Sequence, residues 1–244
     1  MSARSTAISS ALPAAVEALF PGDRNSSRVD LREAAGFRFE DCLPCRPPIE
    51  HPDQSYVVGK YFHAGLGVLV DYESWLERTF LLECDFHGIA AAVLSQPMKL
   101  HWSTSGRGRS HIPDFFIRRD DGSVLLVDVR RRAQVKGKAA EDFERTRSMC
   151  RSFGWDYRVF NELSDVHRDN LEWLSGYRRH SETVDARLDE VLAAAGDGCP
   201  LHVLLDATDG DVSARAAVFR LLWLQRLTID LQRPLTLTSE VTPS

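Results

Sequence analysis

A short polar turn between two apolar segments is the feature that most constrains this chain: SHIPDFFIRRDDGSVLLVDVRRR, residues 110–132. The pattern predicts a β-hairpin with strands over residues 115–118 and 123–130 and an Asp-Asp-Gly turn. Each strand has one acid in an apolar setting, Asp114 just after a proline and Asp128 within Leu-Leu-Val-Asp-Val. Burying a carboxylate costs roughly several kcal/mol without a compensating partner. These two acids therefore need either ion-pair partners or a metal.

The turn length decides which residues of the hairpin face each other. A three-residue turn places Asp114 opposite Asp128, whereas a two-residue turn shifts the pairing by one position. Because side chains alternate along a strand, Asp128 and Arg130 share one face. The other face is predicted to be core, and it holds Leu125, Val127 and Val129 with Phe115 and Ile117. The sequence thus predicts two carboxylates and a guanidinium together at the strand end.

This set of side chains suits a divalent metal, since Mg²⁺ is usually held by one or two carboxylates with waters and phosphate oxygens. Such a metal activates water and stabilises charge on a phosphate. The helix predicted before the hairpin adds Glu77, although the adjacent Arg78 offers that carboxylate a simple ion pair. An ion-pair cluster is an equally good interpretation of the two aspartates from spacing alone. Its candidate cations are Arg118, Arg130 and Arg132.

Hydrophobic periodicity divides the chain into three predicted parts. Residues 1–50 show little periodicity and are predicted to be a loosely structured N-terminal arm. Residues 51–179 alternate helix and strand patterns. Strands and turns over 55–72 precede a helix over 72–86 whose apolar stripe includes Trp75, Leu82 and Phe86. The other elements predicted in this part are strands over 89–94, 98–102 and 155–160, a helix over 141–153 and a helix that begins at Ser164.

Residues 180–244 contain three helical segments and a small hairpin, which favours a winged-helix-like module. VDARLDEVLAAAG is predicted to be one helix, LHVLL is the second apolar segment, and Asp211 can cap the third helix. The hairpin is predicted to turn at 232–234.

The net charge of −5 and the pI of about 5.9 argue against a globally basic nucleic-acid-binding protein. Basic residues nevertheless cluster around the hairpin and in TSGRGRS, a stretch predicted to be a loop. They are Arg107, Arg109, Arg118, Arg119, Arg130, Arg131, Arg132, Lys136 and Lys138. Local clustering of this kind fits contacts with DNA phosphates. Charged strand edges that prevent aggregation are the alternative explanation.

Five scattered cysteines do not resemble a disulfide framework and predict a reducing, cytoplasmic location. Cys42 and Cys45 form a lone CxxC, and a zinc site needs further ligands at matching spacing. No apolar run is long enough to span a bilayer.

An ordered set of motifs runs along the chain: ESWLE at 73–77, SQP at 95–97, PDFF at 113–116, VDVR at 127–130, GWDYRVF at 154–160 and NLEWLSGYR at 170–178. In this order and spacing the chain resembles the TnsA-like heteromeric transposase endonuclease subunit, a member of the restriction-endonuclease-like, PD-(D/E)XK nuclease superfamily. The resemblance is close over residues 55–180, and the winged-helix interpretation extends it to the end of the chain. It implies an α/β fold with a mixed central sheet flanked by helices.

The resemblance also implies the site. Glu77, Asp114 and Asp128 are expected to bind Mg²⁺, for which Mn²⁺ should substitute. Arg130 stands at the position of the motif's lysine. Because arginine stays charged, Arg130 is expected to orient water and stabilise the phosphate rather than accept a proton. The expected DNA-binding residues are Arg107, Arg109, Arg131, Arg132, Lys136 and Lys138.

The function implied by the resemblance is hydrolysis of phosphodiester bonds in double-stranded DNA at the 5′ ends of a transposon. A separate DDE-type transposase subunit cuts the 3′ ends and joins them, and an ATPase regulator subunit bridges to the target. Two alternatives stay open. One is a catalytically inactive assembly protein with the same fold, marked by Arg130, and the other is a stand-alone nuclease for defence or repair.

Overall fold

The computed structural model describes residues 15–30, 33–46, 57–104 and 107–244. The described chain divides into two compact units, which are treated separately below. The first includes the residues up to Phe62 together with Leu69–Arg78 and Ile89–Glu162, and the second includes His63–Val68, Thr79–Gly88 and Leu163–Ser244. These bounds differ from the predicted boundaries after residues 50 and 179.

Strands and helices alternate along the described residues. The strands are β1 (Ala15–Ala18), β2 (Ser27–Val29), β3 (Gly59–His63), β4 (Val68–Tyr72), β5 (Ala92–Ser95), β6 (Lys99–Thr104), β7 (Arg107–His111), β8 (Phe115–Arg118), β9 (Val124–Val129), β10 (Asp156–Phe160), β11 (Cys199–Pro200), β12 (Leu227–Ile229) and β13 (Glu240–Pro243). The helices are α1 (Trp75–His87), α2 (Lys138–Phe153), α3 (Asp165–Leu174), α4 (Glu182–Asp185), α5 (Leu188–Ala194), α6 (Leu201–Asp206) and α7 (Val212–Trp223). The α/β class is confirmed. None of the described helices is both long and apolar enough to cross a membrane.

The first sheet of the first unit has the strand order β2-β1-β6-β7, and all of its neighbouring strands are antiparallel. The segment predicted to be a loose arm supplies β1 and β2, and its Val16, Ala18 and Phe39 are completely buried in the core. Residues 15–30 and 33–46 therefore form ordered structure. Their apolar runs are too short to show periodicity, and β1 is buried by pairing with the sequence-distant β6.

The TSGRGRS stretch also differs from its prediction. Residues Arg107–His111 form β7, which pairs with β6 and places Arg109 opposite Trp102. Glycine is depleted in strands because it offers no side chain for packing. The neighbouring strand β6 rather than local propensity thus determines this conformation, and the loop prediction is wrong for these residues.

The second sheet, with strand order β10-β9-β8-β5, contains the predicted hairpin. Phe115 pairs with Val127 and Ile117 with Leu125, which confirms the register of the three-residue turn. Gly122 in that turn has φ +81°, a left-handed conformation that glycine adopts without strain. Strand β10 runs parallel to β9. Helix α2 forms the crossover between these two strands, as a parallel pair requires.

Both faces of the hairpin are covered, which corrects the expectation of a single core face. Phe115, Phe116 and Ile117 are all completely buried, although consecutive side chains point to opposite faces. Strand β9 lies between β8 and β10, and strands beside crossover helices are commonly buried on both faces. Asp128 near the end of β9 is consequently buried, whereas Asp114 just before β8 is partly buried.

The helices predicted over 72–86 and 141–153 are both confirmed. Helix α1 covers most of the helix predicted over 72–86, and Leu82 and Phe86 are buried as expected. Trp75, which was predicted on the same apolar stripe, is 58% exposed because it lies in the first turn, before the buried stretch begins. Helix α2 covers the helix predicted over 141–153.

The second unit contains α3 to α7 and a small sheet with strand order β11-β13-β12. The predicted helix starts are confirmed, since Ser164 accepts a hydrogen bond from the His167 N–H and Asp211 caps α7. The segment VDARLDEVLAAAG forms the two helices α4 and α5 rather than one. The closing strands β12 and β13 pair across residues 230–239, a longer connection than the turn predicted at 232–234.

Candidate active site

Asp114 is fixed at the start of β8 by main-chain hydrogen bonds on both sides. Its N–H donates to the Val127 carbonyl at 3.0 Å, and its carbonyl accepts from the Gln96 N–H at 2.8 Å. Its Oδ2 accepts from the Val129 N–H at 2.6 Å. Burial raises the pKa of Asp114 well above its ordinary value, and the negative charges of Asp128 and Glu77 raise it further. A cation at this position would relieve that repulsion.

Asp128 is 1% exposed, and both of its carboxylate oxygens have partners. The Nε2 atom of His111 lies 2.8 Å from Oδ1, and the hydroxyl of Tyr157 donates to Oδ2. The ion-pair interpretation expected arginines here. One of those candidates, Arg118, instead pairs with Glu40 at 3.1 Å.

The Asp128 carboxylate shifts the pKa values of both His111 and Tyr157. Burial alone lowers the pKa of His111, but the hydrogen bond and charge of Asp128 outweigh it, so the His111 pKa lies above its ordinary value. Burial and the Asp128 charge together raise the pKa of Tyr157 far above its ordinary range, so this residue keeps its proton and acts as a donor. The cluster is thus a carboxylate held by two side-chain donors.

Sequence reasoning missed these roles for different reasons. The sequence gives no signal for the partner of His111, because its place beside Asp128 depends on the pairing of β7 with β6. Tyr157 lies on β10 opposite Leu126 of β9. The GWDYRVF motif marks that strand, but nothing in the spacing connects its tyrosine with Asp128.

Glu77 lies in the first turn of α1 and caps that helix. Its Oε2 accepts from the Glu73 N–H at 2.8 Å and its Oε1 from the Ser74 hydroxyl at 2.9 Å. Ser74 Oγ in turn accepts from the Glu77 N–H at 3.2 Å, the reciprocal pattern of a capping box. Burial raises the pKa of Glu77. These hydrogen bonds, rather than an ion pair with Arg78, are what Glu77 contributes to the local structure. The negative charge of Glu77 also raises the pKa of Asp114.

The donor chemistry of Glu77, Asp114 and Asp128 fits Mg²⁺, which prefers carboxylate oxygens and tolerates a small protein ligand set. The raised Asp114 pKa supports the fit, because it reports negative charges crowded together in an apolar place. No group of three acids, histidines or cysteines in the described residues is already arranged as a metal centre. The three carboxylates therefore need local rearrangement to share one ion.

Arg130 follows β9 and is exposed, with its main chain fixed by β10. Its N–H donates to the Phe160 carbonyl at 2.9 Å, and its carbonyl accepts from the Asn161 amide at 2.6 Å. Within the described part of the chain, no hydrogen bond or ion pair engages its guanidinium. The positive charge of Arg130 lowers the pKa of His111 and so partly offsets the effect of Asp128. Arg130 is therefore near the carboxylate cluster and available to an anion.

The residues predicted to bind DNA fall into separate groups. Arg131, Arg132 and Lys136 are exposed between β9 and α2, and Lys138, which is also exposed, is the first residue of α2. Arg109 instead pairs with Glu141 at 2.6 Å and Asp142 at 3.2 Å on α2. The side chain of Arg107 lies outside the described residues. The structure thus brings four of the six predicted cations together on one exposed segment.

Residues 91–162 match the family model described as TnsA-like endonuclease N terminal. A search of curated proteins gives no match. The matched segment contains Asp114, Asp128 and Arg130 with the newly found His111 and Tyr157. The match confirms the resemblance over these residues and indicates a nuclease domain related to transposase subunits.

Proposed function

We propose that this protein is the metal-dependent DNA endonuclease subunit of a heteromeric transposase, and that it hydrolyses phosphodiester bonds at the 5′ ends of a transposon. One observation carries the proposal. Within the segment that is similar to TnsA-like endonucleases, Asp114 and Asp128 lie at the same end of two paired strands, and their charges interact.

In this proposal Asp114, Asp128 and Glu77 hold Mg²⁺, which supplies Lewis-acid stabilisation of the phosphate when bound. The Val129 N–H keeps the Asp114 carboxylate in place at the strand end. His111 and Tyr157 orient the Asp128 carboxylate, and their side chains would have to rotate away for its oxygens to hold a metal. Arg130 stabilises negative charge on the phosphate, since arginine is protonated throughout the physiological range.

The exposed cations between β9 and α2 are proposed to contact the DNA backbone. Residues 180–244 of the second unit are proposed to form a winged-helix-like module. The order from α5 onward, which is helix, strand, two helices and two strands, supports this proposal. Arg220 of α7 donates to the main-chain carbonyls of Tyr177 and Arg178, so this cation is committed within the unit. We therefore assign the module to protein contact, with the DDE-type transposase and the ATPase regulator as proposed partners.

An inactive assembly protein is the second candidate, and two observations favour it. Arg130 replaces the lysine of the motif, and side chains already occupy both oxygens of Asp128. In that case the cluster around Asp128 stabilises the fold, and the protein acts by recruiting its partners.

Cleavage of supercoiled DNA in Mn²⁺, with and without the DDE-type partner, tests the proposal. We expect the wild-type protein to cut and Asp114→Ala to lose at least about 100-fold in rate, because a metal ligand is removed. Asp121→Ala, an exposed acid in the turn of the same hairpin, is the matched control and should retain full activity. Equal rates for Asp114→Ala and wild type would refute the proposed site. Partner-dependent assembly without cleavage would establish the second candidate.

A further inference from the structure

A pocket of about 450 Å³ opens in the first unit between helix α2, strand β10 and the segment after β9. Val135, Phe143 and Val159 give it apolar walls, while Arg132, Arg147 and Asn161 place polar groups around them. Its size lies within the range of small-molecule sites, which also combine apolar walls with a few polar groups. The composition is thus that of a site for a group that is partly apolar and partly polar.

The pocket is adjacent to the carboxylate cluster. Val159 of its wall pairs in register with Asp128 on β9. The Phe143 ring contacts the His111 ring edge-on, with centroids 6.1 Å apart. The Arg147 guanidinium lies 5.3 Å above the centre of the Tyr157 ring. A group bound here would therefore lie one strand away from the proposed site of cleavage.

The polar groups of the pocket include both donors and acceptors. Arg147 donates to Glu144 at 2.6 Å, so a cation and a carboxylate lie side by side. Asn161 uses its amide N–H to bond the Arg130 carbonyl, and this leaves the amide oxygen as an acceptor. A phosphate offers only acceptors, so it could use Arg132 and Arg147 but would leave the Glu144 carboxylate facing an acceptor. The edge of a nucleobase offers donors and acceptors together.

We propose that this pocket takes one unstacked nucleobase of the DNA strand beside the phosphate that is cut. This proposal rests on the proposed nuclease function, and it specifies which part of the DNA substrate the pocket binds. Proteins that hold a base outside the stack use apolar surfaces against its faces and hydrogen bonds to its edge. Val135, Phe143 and Val159 supply the surfaces here, and Arg147, Glu144 and Asn161 the hydrogen-bonding groups.

Amide NMR spectra of the full chain, titrated with the four deoxynucleoside monophosphates, test this site. Inorganic phosphate and deoxyribose 5-phosphate are the matched probes without a base. We expect nucleotides alone to shift the amides of Val135, Val159 and Asn161 in the wild type. Ala140→Trp fills the pocket and should abolish these shifts, and its thermal unfolding shows whether the variant is folded. Arg147→Ala should weaken binding about tenfold, whereas Arg151→Ala, an exposed arginine on the same helix, should not.

The outcomes separate this proposal from the nuclease assignment, because Mn²⁺-dependent cleavage is measured on the same samples. Equal shifts with deoxyribose 5-phosphate, or no shifts around the pocket, overturn the base site, and continued cleavage then leaves the nuclease assignment intact. Base-dependent shifts that Ala140→Trp removes support the pocket, even if no sample cleaves DNA and the nuclease assignment fails.

Discussion

Two buried carboxylates, one in each unit, have a histidine beside them but differ in their other partners. Asp85 in the second unit lies on α1, and His63 Nδ1 is 3.2 Å from its Oδ1. Its carboxylate also accepts hydrogen bonds from the main chain, from the Ala64 N–H at 2.8 Å and the Gly65 N–H at 2.9 Å. In the described structure, the carboxylate oxygens of Asp128 in the first unit have only side chains as partners.

This difference separates a structural acid from one that can change partners. The main-chain donors of Asp85 move only if the connection between β3 and β4 moves with them. The donors of Asp128 are the imidazole of His111 and the hydroxyl of Tyr157, which can leave by rotation of their side chains. We propose that Asp128 exchanges these hydrogen bonds for a metal ion, whereas the main-chain donors of Asp85 hold that residue in a structural role. Burial beside a histidine does not by itself identify a functional carboxylate.

The largest expected effect is on stability, from Asp85→Ala. Hydrogen bonds to a charged group contribute about 1.5–3 kcal/mol each, so losing two main-chain bonds should lower the free energy of unfolding by about 3 kcal/mol or more. Urea denaturation measures the change. Asp197→Ala, an exposed acid of the same unit, should stay within about 0.5 kcal/mol of wild type. A small decrease in the free energy of unfolding for Asp85→Ala would show that Asp85 is not a structural acid.

Tyr157→Phe should have a smaller effect that Mn²⁺ reverses. Without metal, the lost hydrogen bond to Asp128 should cost about 1.5–3 kcal/mol. Because Tyr157 must leave Asp128 when the metal binds, the variant should bind Mn²⁺ about tenfold more tightly or better, by linkage. Calorimetry measures the affinity. Tyr177→Phe makes the same chemical change at a hydroxyl with no hydrogen bond among the described residues. Weaker Mn²⁺ binding by Tyr157→Phe would show that Tyr157 supports the bound state instead.

The smallest expected effect is a pH difference between the two histidines. Burial lowers the pKa of His63 from its ordinary value of 6.5, whereas Asp128 raises that of His111. The imidazole resonances should therefore titrate on opposite sides of this value in NMR spectra. For His63 the unfolded chain binds the proton first as the pH falls below about 6.5, so its contribution to stability decreases there. Titration of both histidines over the same pH range would refute the predicted difference in their pKa values.

The sequence predicts those parts of the fold and site that depend on local pattern. The Asp-Asp-Gly turn and strand alternation predicted the hairpin but left two registers open, and the structure shows the one that follows the three-residue turn. Capping chemistry was enough to start helices at Ser164 and Asp211. Strand β7 and the N-terminal strands were missed because long-range pairing, not propensity, forms them. Tyr157 was missed for the same reason, since the parallel pairing of β9 and β10 has no local signal.

Calorimetric Mn²⁺ binding in the presence of duplex DNA is the most direct test of the central claim that Asp114 and Asp128 form a metal site. We predict that the wild type and Asp121→Ala bind one Mn²⁺, and that Asp114→Ala and Asp128→Ala lose this binding. Mn²⁺ binding that survives in both Asp114→Ala and Asp128→Ala would refute the metal site. So would the absence of binding in the wild type, and the carboxylate cluster would then be a structural feature of an assembly protein.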